Sequence, residues 1–174
     1  MTPRNPHPED EVTQNACVDL TITPADLDDP ELSAFLREHL TDMEPTAPAE
    51  SRHALDLDDL RADDVSTWVA HSDSTLVGTV ALAPVEAEHE ELKSMRTAPS
   101  LRGVGIASAL LSHVLEDARA RGVRRVSLET GSMAFFAPAR RLYARHGFTT
   151  CRPFGRYVED PNSVFMTLEL AVRL

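Results

Sequence analysis

Seven consecutive residues of this chain have types and spacing suited to holding an anion: Arg102, Gly103, Val104, Gly105, Ile106, Ala107 and Ser108. They spell Arg-x-x-Gly-x-Ala with one further glycine. Gly103 and Gly105 let the backbone bend and present consecutive N–H groups with no Cβ in front of them. Apolar residues then recur at 106, 107, 110, 111, 114, 115 and 118 with helical period. The N–H groups therefore lie at the positive end of a helix dipole, where a phosphate is a natural occupant. Other chemistry finds no support in the spacing. No Gly-x-Ser-x-Gly marks a serine nucleophile. No His, Cys and Asp cluster has metal-ligand spacing, so no metal is expected. Cys17 and Cys151 stand alone and read as packing thiols in a reducing cytoplasm.

The turn has competing readings. A dinucleotide loop wants Gly-x-Gly-x-x-Gly with an acid about 20 residues on, and Glu129 stands at a suitable distance. Ser108 occupies the third glycine position, however, and residues 98–102 separate the preceding strand from the first glycine. A Walker loop needs Gly-Lys-Ser/Thr, which is absent. An ordinary glycine turn opening a packed helix remains the bland alternative.

The elements that must position this turn can be read around it. LKSMRT before Pro99 alternates as a strand, and Gly122 stops the helix after it. Residues 1–15 read as a disordered tail, and residues 16–174 as one domain. CVDLTIT (17–23) is an expected first strand. A helix opens at Pro30, capped by Asp28 or Asp29, with Leu32, Phe35, Leu36, Leu40 and Met43 on its apolar side. Two prolines in 44–51 break it, and 53–64 is a short acidic helix or turn. STWVAHS (66–72) and TLVGTVALAP (75–84) form a hairpin about Asp73. VEAEHE (85–90) reads as a charged turn. VRRVSLET (123–130) is a buried strand, Ala137 to His146 a helix, and FTTCRPF with SVFMTLELAV a closing antiparallel pair. The sum is an α/β chain with a mixed central sheet of about seven strands and helices on both faces.

Charge is uneven. The net charge is −11. Up to Leu92 there are 22 acidic and 4 basic residues; from Lys93 onward there are 6 and 13. That balance argues against a nucleic-acid partner. It gives a positive half suited to phosphates and a negative half suited to a cationic substrate, or simply to solubility. No apolar run is long enough to span a membrane, and the N-terminal residues lack an apolar signal core.

Several stretches together carry a resemblance. The strand, Arg-x-x-Gly-x-Ala turn and long helix resemble the pyrophosphate-binding motif of the GNAT superfamily of acyl-CoA N-acyltransferases. LETGS (128–132) and FFAPARRLYARHGF (135–148) resemble the strand and helix that close the acetyl-CoA site there. SMRTAP and CRPFGRYVEDPNSVFMTLEL (151–170) make the likeness closest to one branch of small bacterial members. It covers roughly Cys17 to Leu170.

The resemblance implies a GNAT three-layer fold and acetyl-CoA as co-substrate. It implies cofactor contacts from Met95, Arg96, Thr97, the turn residues Arg102 to Ser108, Phe136 and Arg145. Phe136 departs from the pattern, because many members carry Asn there. Tyr143, within LYARHGF, holds the position of the tyrosine that many members use to protonate the departing thiolate. Glu91 corresponds to the general base of some members, and period-2 alternation puts it on one strand face with Lys93, Met95 and Thr97. His39, His53 and Glu50 are alternatives from the region roofing the acceptor site. The implied activity is acetyl transfer to a primary amine of a small molecule or peptide. A CoA-binding module without turnover is the alternative. The 153–165 segment reads as an acceptor-pocket wall or a homodimer contact.

Overall fold

The computed structural model describes residues 19–43 and 57–171. The expected tail over 1–15, Cys17, the proline break at 44–51, Glu50 and His53 lie outside the described residues. Strands β1 (Thr21–Pro24), β2 (Ser66–Ser72), β3 (Thr75–Glu86), β4 (His89–Thr97), β5 (Arg125–Gly131), β6 (Thr149–Thr150) and β7 (Ser163–Glu169) form one sheet. Its order is β1-β2-β3-β4-β5-β7-β6. Four helices accompany it: α1 (Pro30–Met43), α2 (Leu57–Leu60), α3 (Ile106–Ala120) and α4 (Ala137–Arg145). Short 3-10 turns at Pro99–Leu101 and Ala134–Phe136 lead into α3 and α4.

The α3 stripe is buried as its period requires: Ile106, Leu110, Leu111, Val114, Leu115 and Ala118 all enter the core. They pack with Trp68 and Ala70 of β2, with Val126 and Leu128 of β5, and with Leu142 and Tyr143 of α4. A second cluster joins Leu32 and Leu36 of α1 and Leu60 of α2 to Val69 of β2 and Leu76 of β3. Val69 lies between Trp68 and Ala70, so the two clusters cover opposite faces of the sheet. Helices on both faces of a mixed sheet of seven strands are what the sequence pattern predicts.

The β2–β3 hairpin turns at Asp73 and Ser74, both with positive φ, in register Ser72↔Thr75. Positive φ at both central residues is the twist that a two-residue hairpin needs. The charged stretch 85–90 is a correction. Most of it is strand, because β3 and β4 pair out to Glu86↔His89 and only Ala87 and Glu88 turn.

Two departures from regularity shape the centre of the sheet. First, β4 carries a bulge. The register runs Thr79↔Arg96 and then Ala81↔Lys93, one residue more on β4 than on β3. Ser94 within it has φ +51°. An inserted residue flips every later side chain to the other face. Met95 therefore joins the α3 cluster and Arg96 turns toward Phe35 of α1. The expected shared face of Glu91, Lys93, Met95 and Thr97 is overturned by this bulge. Second, β4 and β5 run parallel but pair only from His89↔Arg125 to Glu91↔Ser127. Beyond that rung β4 continues to Thr97 and β5 to Gly131, one bound to β3 and the other to β7. A wedge opens between them.

Candidate active site

The wedge holds a cavity of about 390 Å³. Its walls include His39 and Asp42 of α1, Met95, Arg96 and Thr97 of β4, the turn into α3, and residues of α4. Helices α1 and α4 belong to opposite faces, so the cavity passes through the sheet between the parted strands. Of the residues expected to hold a cofactor, Met95, Arg96, Thr97, Arg102, Gly103, Gly105, Ile106, Ala107, Ser108, Phe136 and Arg145 all line it. Val104 does not; it projects from the turn, about half exposed. Asp42, Leu101, Phe135, Pro138, Ala139 and Leu142 also line the cavity. Phe135 could have been found from its place beside Phe136, whereas nothing in the α1 sequence marks Asp42.

The turn is built for an anion. Gly103 and Gly105 have φ +84° and +97°, and a Cβ on either would meet nothing within 4 Å. The backbone conformation requires glycine there, and the space before it is open. Gly105 is the N-cap of α3, no acidic residue occupies the first helical turn, and Arg102 and Arg145 stand at the rim. Free N–H groups, a positive helix end and two guanidinium groups fit a polyphosphate.

Phe136 is fixed from behind. A Cβ on Gly131 would overlap the Phe136 ring. Arg140 Nη1 donates to the carbonyl oxygens of Gly131 and Met133, tying the end of β5 to the 3-10 turn. We expect Gly131→Ala to push the ring into the cavity and destabilise the fold by about 1–3 kcal/mol. A thermal melt checks this. A shift below about 2 °C, less than 1 kcal/mol brings at this size, counts against the contact.

Tyr143 is buried, and its hydroxyl donates to Met95 Sδ at 3.7 Å. Burial, and then the charge of Glu129, push its pKa well above the usual tyrosine range. It therefore stays protonated, an acid facing the cavity. His39 is the reverse case. Burial, followed by the Arg96 charge, lowers its pKa to about 4, so it is neutral at pH 7.

Glu91 lies elsewhere. It lines a second cavity of about 480 Å³, with Pro84, Val85, Phe154, Tyr157 and Asp160 among its walls. Its Oε1 accepts hydrogen bonds from Tyr157 Oη at 2.5 Å and Lys93 Nζ at 3.0 Å. Lys93 Nζ also donates to Tyr157 Oη at 2.9 Å. Burial, then the Glu91 charge, raise the Tyr157 pKa above its ordinary range, so it remains the donor. Beside this triangle, buried His89 shares hydrogen bonds with Ser127 Oγ at 2.8 Å and Glu86 Oε1 at 3.2 Å. The reading of 85–90 as a turn hid His89. We expect strong coupling between Glu91→Gln and Tyr157→Phe, with an interaction energy of about 1–3 kcal/mol in a denaturation cycle. Additive effects would show that the hydrogen bond carries no shared stability.

Among the described residues, no cluster of His, Cys, Asp and Glu is placed to hold a metal ion, and no helix is long and apolar enough to cross a membrane.

A mixed sheet parted at its centre, with an anion-binding turn in the parting, defines a class of acyl-transfer proteins, and comparison places the chain. The sequence model of the acetyltransferase (GNAT) family matches residues 32–148, and the chain belongs to that family. It is an acetyltransferase. It is 47% identical over 145 residues to an uncharacterised N-acetyltransferase, YsnE of Bacillus subtilis, covering 83% of this chain and 96% of that protein. It is 41% identical over 120 residues to an IAA acetyltransferase of Azospirillum brasilense, covering 68% and 77%. A Klebsiella pneumoniae chain solved under the description 'putative acyl-CoA N-acyltransferase' superposes with TM-score 0.74 at 31% identity, covering 88% and 99%. A GNAT acetyltransferase from Elizabethkingia anophelis, solved with acetyl-CoA bound, shares the fold with TM-score 0.64 at 21% identity, covering 87% and 98%.

Proposed function

We propose that this protein moves the acetyl group of acetyl-CoA directly onto a primary amine of a small molecule or peptide, within the wedge. The observation that carries this reading is one cavity holding both the anion-binding turn and the protonated hydroxyl of Tyr143. The N–H groups of Arg102 to Ser108, with Arg102 and Arg145, hold the pyrophosphate. Met95 to Thr97 border the pantetheine arm, and Phe136 packs against it in place of a polar contact. Acetyl-CoA, when bound, supplies an activated acyl carbon and a thiolate leaving group.

The chain's own groups then manage protons and charge. The amine nitrogen forms the new C–N bond as the C–S bond breaks. The electron pair leaves on sulfur, and sulfur takes a proton from Tyr143. Glu91 lines the neighbouring cavity and not the wedge, so the proton lost by the amine reaches it through intervening water. Backbone N–H groups on the wedge side of β4, past the last β5 rung, offer donors to the oxygen that gains charge. Release of CoA thiol in the presence of an amine panel tests the reading, with the acetylated product identified by mass. IAA, after the name of the Azospirillum relative, is assayed beside the amine panel and not within it. Tight CoA binding with no thiol release from any acceptor would favour the alternative, a CoA-binding module, to which Phe136 in the usual asparagine position points.

A further inference from the structure

Arg96 is a buried cation whose described partners leave it under-satisfied. Only 4% of its side chain is exposed. The bulge at Ser94 turns it away from the α3 cluster and toward α1, where its guanidinium carbon lies 4.9 Å from the Phe35 ring centre. Nη2 reaches Glu38 Oε2 at 3.5 Å, the far limit of a hydrogen bond. Nη1 is 3.1 Å from Asp42 Oδ2 but out of hydrogen-bond alignment. Nε has no acceptor among the described residues, and neither has the buried Oγ1 of neighbouring Thr97. Arg96 and Thr97 both line the wedge cavity, Arg96 on the side where α1 closes it and Thr97 on the α3 face with its partner Gly78.

A guanidinium removed from water needs acceptors for all its N–H groups. The two carboxylates beside it are surface groups, 70% and 45% exposed, and can swing outward at little cost. What enters the cavity from the α1 side thus meets a preorganised cation. A carboxylate, planar with two oxygens, matches a guanidinium.

We propose that Arg96 anchors a carboxylate of the acceptor, so that the acceptor is an amino-carboxylate of the amino-acid type. This rests on the acetyl-transfer reading above, and it goes further by naming the substrate class. An ammonium group attracted by the acidic half of the chain and a carboxylate seated on Arg96 are compatible in one zwitterion.

The test uses amine pairs that differ only by a carboxylate, such as phenylalanine with phenethylamine and leucine with isoamylamine. Thiol release from acetyl-CoA is followed with the wild type, Arg96→Met and Arg96→Lys. The wild type should favour the carboxylate-bearing member by about tenfold or more in kcat/KM, as expected when a buried polar group is left unpaired by the wrong ligand. Arg96→Met should bring the ratio close to one, through a raised KM for the carboxylate-bearing member, and Arg96→Lys should fall between. Circular dichroism and a cooperative thermal melt report that each variant is folded. A preference for carboxylate-free amines, or a ratio unmoved in Arg96→Met, overturns the anchor. If no amine releases thiol, the acetyl-transfer reading fails, and the anchor is read separately by thermal shift. N-acetyl amino acids added with CoA should then stabilise the wild type and not Arg96→Met. No stabilisation overturns the anchor as well.

Discussion

Gly105→Val should weaken CoA binding by about 100-fold, close to 3 kcal/mol. Two effects combine. Gly105 sits at φ +97°, where a β-branched side chain is strained by roughly 1–2 kcal/mol. The chain responds by rotating the turn, and the N–H groups no longer converge. The valine methyl groups also fill the open space before the turn, which the protein itself leaves empty within 4 Å of a Cβ. Isothermal calorimetry with CoA measures the loss. The unliganded variant should still fold, with a lower melting temperature, because nothing in the core touches this position. An affinity equal to the wild type would remove the turn from the cofactor site.

Tyr143→Phe should lower kcat by about 100-fold or more, the scale of a lost general acid, while CoA affinity stays near the wild-type value. The substitution removes one oxygen whose described contact is a long sulfur bond, 3.7 Å to Met95. The ring keeps its packing against Phe148, with centroids 5.8 Å apart. Stability should therefore change little, and the effect should fall on turnover. The pH dependence has a definite sign. An acid works in its protonated form, and burial holds Tyr143 protonated to higher pH than a free tyrosine. The wild-type rate should show no alkaline fall assignable to this group up to about pH 10, the ordinary tyrosine value. Wild-type kcat in Tyr143→Phe would show that another group protonates the thiolate.

Much of this architecture is legible in the residues because local signals and burial agree. The α3 stripe, the Pro30 start of α1 and the two-residue hairpin at Asp73 each follow from period, cap or turn chemistry. The turn Arg102 to Ser108 is legible for the same reason: glycines at positive φ leave a trace in sequence. Ser94 leaves none. It adopts φ +51° without being glycine, so alternation carried past it assigns Met95 and Arg96 to the wrong faces. The parting of β4 from β5 is equally silent, since both strands are fully paired on their other edges. The site depends on these two irregularities, which explains why its lining was readable as a list of residues but not as two sides of one passage. Glu91 illustrates the remainder. Its type and place invite a free base, yet Lys93 and Tyr157, the latter 66 positions away, already share its oxygen.

Among the described residues, the three rungs from His89 to Glu91, with the bonds from the Arg124 and Arg125 N–H groups to Glu88 O beside them, sew strands β1–β4 to strands β5–β7 through the backbone. Mechanically the sheet is two leaves with a short spine. One leaf is antiparallel throughout and carries the anion-binding turn at its end. The other carries Phe136 and Tyr143 on the segments that follow β5. A small rotation about the spine changes the width of the far end of the wedge most, because displacement grows with distance from a pivot. The jaw at that end lies between Met95 and Tyr143, spanned by the 3.7 Å contact from the Tyr143 hydroxyl to the Met95 sulfur. A molecule that bridges both leaves works as a clasp, added to the spine and to the α3 cluster that packs on both.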